Sequence, residues 1–261
     1  MTWTVGIDTS HVVAVGIARD GDPVARVIVD DTRAHAEALM PSVLEACEQA
    51  GIALTDVGEF AVGMGPGPFT GLRVGIATAR TLALVGGKPV HPVCSLDVVA
   101  KQWAASRAPS VPEEPASRVP SVPEERGSRV PSVPEERGSR VPSVPEERGN
   151  VSRDTPAFLV ATDARRKELY WATYDADGNR IGEPQVSAPT ELPGLPVVGT
   201  VPDEYRGLVD FRADLPLDPA ALAAHWPSLP VAGDEPYYLR PADATVPGKP
   251  KSALPRLRAR R

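Results

Sequence analysis

The sequence predicts a duplicated α/β fold, and three observations point to it. The first 30 residues read as three short strands, and a patterned helix follows. Strand and helix patterns then alternate between residues 60 and 105. A second strand–turn–strand block opens the latter half, after residue 156. Two tandem hairpin-plus-helix units suggest one α/β unit built twice. The length of 261 residues suits two small domains or one large one.

Each element has a local reason. Val5 to Thr9 is an apolar strand that runs into Asp8-Thr9-Ser10. Val12 to Arg19 and Val24 to Asp30 are strands joined by Asp20-Gly21-Asp22, a hairpin turn signal. Thr32 to Ala50 is a helix, with Ala36, Leu39, Met40, Val43, Leu44 and Cys47 as its apolar stripe and Gly51 as its cap. Phe60 to Gly63 is a strand that leads into Gly65-Pro66-Gly67-Pro68-Phe69-Thr70-Gly71. That order, strand then glycine-rich turn then helix, aims free N–H groups and a helix dipole at one spot. The helix runs from Thr70 to about Val85 and stops at Gly86-Gly87. Pro89 to Val93 is a strand and Leu96 to Ala105 a helix. Ala157 to Asp163 and Glu168 to Asp175 are strands, and Asp175-Ala176-Asp177-Gly178-Asn179 turns into another from Arg180.

Residues 107–150 stand apart. They form an 11-residue repeat in four copies with the consensus R-V-P-S-V-P-E-E-R-G-S. Two prolines in each full copy exclude a helix or a central strand. Two valines per copy cannot offset the ordering entropy, so the insert reads as a disordered, polyproline-II-like linker. The chain thus divides into an N-terminal lobe (1–106), the insert (107–150), a C-terminal lobe (151–248) and a basic disordered tail (249–261).

Charge and composition exclude some classes. The formal net charge is −6, but the tail holds six basic residues and no acid. Removing six from 28 Lys+Arg leaves 22 against 34 Asp+Glu, so residues 1–248 carry −12. An acidic body argues against a large nucleic-acid footprint of its own. No apolar run reaches the ~18 residues of a membrane span, and the N-terminus lacks a signal-peptide pattern. Cys47 and Cys94 have no C-x-x-C spacing and read as buried thiols, which together with the missing leader suggests the cytoplasm.

The helix after the glycine-rich turn is unusual. Gly71, Gly75, Ala79 and Ala83 repeat every four residues, while Leu72, Ile76, Leu82 and Leu84 make most of the rest apolar. Two glycines inside a helix cost about 1 kcal/mol each relative to alanine. Close approach by a partner helix is a reason to retain them, so this face is expected to be an interface.

These segments resemble the TsaB (YeaZ) family of the bacterial tRNA threonylcarbamoyladenosine machinery. The resemblance rests on Ile7-Asp8-Thr9-Ser10, Thr32-Arg33-Ala34-His35, Gly65 to Gly75 and Val93-Cys94-Ser95-Leu96. It continues through Asp163-Ala164-Arg165, Glu168-Leu169-Tyr170-Trp171-Ala172 and Glu235-Pro236-Tyr237-Tyr238-Leu239-Arg240. Pro68 departs from the family's usual serine and removes a hydroxyl and an N–H from an anion cradle. The resemblance implies an actin/Hsp70/sugar-kinase-like fold of two ribonuclease-H-like lobes. It implies a non-catalytic scaffold required for threonylcarbamoyl transfer to an adenosine of tRNAs reading codons that begin with A. The implied partners are a TsaD-like catalytic paralogue, a TsaE-like ATPase, a second copy when alone, and tRNA only indirectly. No cofactor is expected on this chain, although the complex uses ATP. The partner interface is expected at His35, Leu39, Leu44, Gly71, Leu72, Gly75, Ala79 and Ala83. A residual nucleotide or anion site would use Asp8, Thr9, Ser10, Gly65, Gly67 and Thr70.

Enzyme readings find less support. The catalytic paralogue is expected to hold a metal with two histidines spaced i, i+4; here Ser95 and Val99 occupy those places. His11, His35, His91 and His225 are too scattered to replace them. The alternative, a small ATP-dependent phosphotransferase, needs a glycine after Asp8 for close phosphate approach, and Thr9 stands there. Asp163, Arg165 and Glu168 read as an ion-pair network, and Tyr170 and Trp171 as neighbours of which at most one faces the core.

Overall fold

The computed structural model describes residues 1–30, 35–107 and 157–240, with the side chain of His35 also left out. Thr32, Arg33, Ala34, residues 108–150 of the repeat and the basic tail lie outside the described residues. Strands β1 (Trp3–Asp8), β2 (Val13–Arg19), β3 (Asp22–Val29), β4 (Glu59–Gly63) and β5 (Val90–Val93) form the first sheet. Helices α1 (His35–Ala50), α2 (Phe69–Gly86) and α3 (Ser95–Arg107) belong to the same half. Strands β6 (Phe158–Asp163), β7 (Leu169–Tyr174), β8 (Arg180–Ser187), β9 (Val197–Val198) and β10 (Phe211–Ala213) form the second sheet. Helices α4 (Asp203–Arg206) and α5 (Pro219–His225) lie in the same half of the chain.

The two sheets have one topology. The first runs β3-β2-β1-β4-β5 and the second β8-β7-β6-β9-β10, read in the matching direction. In each, the first three strands are antiparallel and the last two join in parallel. This is a duplicated ribonuclease-H-like lobe, the actin/sugar-kinase-like fold. The β2–β3 turn takes positive φ at Asp20 (51°) and Gly21 (89°), as a tight two-residue hairpin requires.

The helices are exchanged between the halves. One face of the first sheet carries α1 and α2, through Leu39, Val43, Ala46 and Cys47 on one helix and Leu72, Ile76 and Ala79 on the other. Its other face carries α5, which comes from the second half of the chain. Gly6 and Gly16 are paired across β1 and β2, and both lie under α5. A Cβ on Gly16 would stand 2.2 Å from the carbonyl oxygen of Pro219, and one on Gly6 2.6 Å. In return, α3 packs Leu96, Val99 and Ala100 against Phe158, Val160, Ala172 and Tyr174 of the second sheet. The chain then returns to the first sheet's edge. Ala232 N–H bonds Pro92 O at 2.9 Å and Tyr237 N–H bonds Met64 O at 2.9 Å. Trp226 closes the end of α5 by stacking on His91 with ring centroids 3.4 Å apart, and its Nε1–H donates to Glu59.

Tyr170 and Trp171 correct the sequence expectation: both are buried. Neighbouring strand residues do face opposite sides, but this sheet is covered on both. Tyr170 lies 6.0 Å beneath the guanidinium of Arg240, and Trp171 joins a cluster with Leu159, Leu169 and Val197. Leu192, Leu195 and Val209, from loops, cover that cluster.

Candidate functional site

A cleft of about 380 Å³ opens between the lobes. The N-lobe contributes Asp8, Ser10, His11, Val12 and Ile28, and the first turns of α3 contribute Ser95, Leu96 and Val99. The second lobe contributes Val160, Thr162, Thr200 and Leu217. Its wall is mostly aliphatic, with the polar groups gathered at the end of β1.

That polar end is closed on itself. Asp8 is 3% exposed. Its Oδ1 accepts from Ser10 N–H at 2.8 Å and from Ser10 Oγ at 2.6 Å. Its Oδ2 accepts from Ser95 Oγ. Ser95 Oγ accepts in turn from Gly65 N–H at 3.1 Å. Gly63 must lack a side chain, because a Cβ there would sit 1.8 Å from Asp8 Oδ2. Thr9 faces the other way, and its hydroxyl donates to Gly71 O at 2.8 Å. Of the six anion-site candidates, only Asp8 and Ser10 line the cleft. Gly65 turns the chain at φ 88° and Gly67 packs on Ser10. Thr70 lies exposed on the first turn of α2. Ser95 and Val99 sit one turn apart on α3, both buried and both facing the cleft.

Behind the cleft lies a charged knot that the sequence did not single out. Asp97 of α3 is 1% exposed and meets Arg180 of β8 at 3.1 Å. Tyr174 O–H donates to Asp97 at 2.8 Å. Arg180 also reaches Tyr237 O–H at 3.2 Å, so three segments meet here. Burial holds the Asp97 carboxyl above its usual range, and the nearby guanidinium only partly opposes that. Burial and the Asp97 carboxylate both push the Tyr174 phenol well up, so it stays a donor. Only the folded chain brings positions 97, 174, 180 and 237 together. The sole sequence signal was Asp97, a charge set between Leu96 and Val98.

The helix surface needs a correction. Gly71, Leu72, Gly75, Ala79 and Ala83, expected as an interface, face into the N-lobe, and so does Leu39. A Cβ on Gly75 would lie 2.3 Å from Thr9 Oγ1. Thr9, on the turn after β1, fills the Gly71–Gly75 end of the small-residue stripe. The opposite face of α2 is the open one. There Leu84 and Val85 are 83% and 84% exposed, and Leu44 of the neighbouring α1 is 54% exposed. Leu44 is thus the one described interface candidate that lies outward.

The Asp163–Arg165–Glu168 network also differs from expectation. Arg165 meets Asp163 at 3.6 Å, but Glu168 pairs with Arg240. Arg240 Nη1 donates to Ala164 O at 2.7 Å, a link of 76 residues that spacing alone does not reveal.

Comparison with known proteins places this architecture. The family described as "TsaD: tRNA N6-adenosine threonylcarbamoyltransferase" matches residues 28–118, the stretch that holds α1, α2 and α3. An uncharacterized Mycobacterium tuberculosis protein is 34% identical over 255 residues, covering 94% of each chain. A Mycobacterium leprae protein is 33% identical over 257 residues, and the chain spans 56% of its length. The Escherichia coli tRNA threonylcarbamoyladenosine biosynthesis protein TsaB is 29% identical over 150 residues, 57% of this chain and 45% of that protein. The chain belongs to the TsaB/YeaZ-like family. The solved structure of YeaZ from Pseudomonas aeruginosa shares the fold, with a TM-score of 0.58 at 20% identity over 87% of this chain and 92% of that one. A TsaB/YeaZ-like chain therefore has two surfaces to account for: an aliphatic cleft with a self-satisfied carboxylate, and an exposed apolar helix pair.

Proposed function

We propose that this chain serves tRNA threonylcarbamoyladenosine biosynthesis as a non-catalytic subunit that docks on the catalytic, TsaD-like paralogue. The observation that carries the reading is the exposure of Leu44 on α1 and of Leu84 and Val85 on the neighbouring α2. An exposed patch of that kind is a liability unless something covers it. The threonylcarbamoyltransferase family matches the same stretch of chain, so the paralogue would present a similar helix pair. Two similar pairs can close around a pseudo-twofold axis as a four-helix layer. Exposed Glu37, Glu45 and Glu48 on α1 and Arg73 and Arg80 on α2 give the layer opposite charges on its two helices. A second copy of this chain would occupy the face when the paralogue is absent. The non-catalytic assignment rests on the cleft. The Asp8 carboxylate is engaged by two serine hydroxyls, and Ser95 and Val99 stand at the i, i+4 positions on α3. In this reading the complex, not this chain, uses ATP, with a TsaE-like ATPase as a further partner in the cytoplasm.

The test is co-purification with the paralogue. Leu44→Glu with Leu84→Glu should abolish the complex while the melting temperature stays within about 2 °C. Co-purification at the wild-type level would overturn the docking face. Reconstituted threonylcarbamoyl transfer to tRNA, with and without this chain, separates a scaffold from the phosphotransferase alternative. A phosphotransferase would turn over ATP by itself.

A further inference from the structure

The cleft carries charge that its hydrogen bonds do not cancel. Asp8 is 3% exposed, and a carboxylate that deep is ordinarily paired with a cation. Its hydrogen-bond partners among the described residues are Ser10 and Ser95, both neutral. Ser95 Oγ accepts from Gly65 N–H, so its own proton goes to Asp8, and Ser10 N–H can only donate. Both acid oxygens are therefore acceptors, as in the ionised form. Ser10 Oγ also spends its proton on Asp8, which leaves its lone pairs for the cleft.

A second carboxylate stands across the cleft. Asp30, exposed just past the end of β3, lines it as well. Ala14 of β2 pairs with Asp8 on one side and with Ile28 on the other, so Asp8 and Asp30 belong to one face of the sheet. Two strand spacings and a two-residue offset put their Cα atoms about 12 Å apart. Between them the wall is Val12, Ala14 and Ile28, faced by Val99, Val160 and Leu217. No Lys or Arg is among the described residues that line the cleft.

We infer that this cleft binds an aliphatic polyamine, a methylene chain with an ammonium group at each end. One ammonium sits on Ser10 Oγ, with the Asp8 charge behind it, and the other on Asp30. The methylenes lie along the aliphatic wall between them. A volume of about 380 Å³ is at the small end of ligand pockets, as suits a thin chain. Two other ligand classes fit less well. Phosphate groups need convergent cationic or N–H donors, and Gly65 N–H is taken by Ser95. A single metal ion needs its oxygens within about 2.6 Å, which carboxylates so far apart do not supply. The cleft lies on the α5 side of the first sheet, away from α1 and α2, so the inference stands apart from the docking role.

The experiment titrates spermidine into the full-length chain by isothermal calorimetry at about 20 mM salt, where exposed charges are little screened. One saturable site is expected, weakened about fivefold by Asp30→Asn. Asp22→Asn removes the same charge from the far end of β3, outside the cleft, and should leave the affinity within about twofold. Hexylamine, with one ammonium, should bind at least about fivefold more weakly than spermidine. Thr200→Trp fills the cleft and should abolish binding; the exposed Asp30→Asn change tests the site even if that variant melts early. The inference is overturned if spermidine shows no saturable site below about 1 mM. It is also overturned if Asp22→Asn weakens binding as much as Asp30→Asn, which would mark a diffuse counterion. Equal affinity for hexylamine, or tighter binding of ATP that Thr200→Trp abolishes, would overturn it as well. The docking reading fails separately, through the Leu44 and Leu84 variants, so each can fall while the other stands.

Discussion

The two lobes share one strand order and differ in what covers it. In the N-lobe, the connection from β3 to β4 holds the 16-residue α1, and that from β4 to β5 the 18-residue α2. In the C-lobe, the matching connections hold a single turn at Pro189–Glu191 and the four-residue α4. The outer face of the second sheet is therefore closed by loop side chains such as Leu192, Leu195 and Val209. Full helices leave the N-lobe a broad outward surface, whereas loops leave the C-lobe short tips. The comparison teaches that duplication preserved the sheet and its inward packing, while the outward faces became free to diverge. An apolar helix pair resulted on one lobe and a charged hairpin tip on the other.

The seam between the lobes offers the strongest way to break this comparison. Gly16→Val should cost more than about 3 kcal/mol, because its Cβ would enter the backbone of Pro219 at 2.2 Å and lift α5 off the first sheet. Ala172→Gly, in the second sheet under α3, should cost only about 1 kcal/mol. Thermal melts of both variants would check the contrast; equal losses would mean that the two seams are equally tight.

Arg180→Met comes next, at about 3 kcal/mol at neutral pH, since it leaves Asp97 buried without a cation. The sign of the pH dependence follows from the raised carboxyl. A group whose folded pKa lies above its unfolded value contributes stability below the unfolded value and loses it as pH rises through the folded one. Removing Arg180 raises the folded value further, so the deficit of the variant should shrink on acidification. Melts from pH 7 to pH 4 would show it, and a deficit that grows in acid would contradict the assignment.

Ser187→Ala should cost about 1 kcal/mol, for it leaves Trp171 Nε1–H without the acceptor it has at 3.0 Å. A urea titration resolves a loss of that size. The smallest effect sharpens the contrast most. Val85→Glu on the outward face of α2 should change monomer stability by no more than about 0.5 kcal/mol, yet it should abolish association. A sedimentation measurement with and without the paralogue would separate those outcomes.

Much of the fold was legible because local signals agreed. Gly87 at φ 61° ends α2 where the glycine pair predicted a stop. Pro41 lies inside α1 without ending it, although its ring removes one helix hydrogen bond. The short elements β9, β10 and α4 were not legible, since two to four residues carry no period.

By itself the sequence determined the three-strand block that opens each half, the glycine-rich launch of α2 and the absence of a histidine pair at Ser95 and Val99. These depend on neighbours within a few residues, where turn chemistry and periodicity act. Only the tertiary structure decided which way α2 faces. Gly71, Gly75, Ala79 and Ala83 make a stripe that either a partner or the chain's own sheet could fill; Thr9 fills it at Gly71 and Gly75, and Ala79 and Ala83 join the N-lobe core. It also decided that α3 and α5 exchange lobes, that Arg240 braces a tip 75 residues away, and that Asp97 meets Arg180. Those contacts join residues far apart in the chain, and a helical or strand pattern records which residues share a face but not what lies against it.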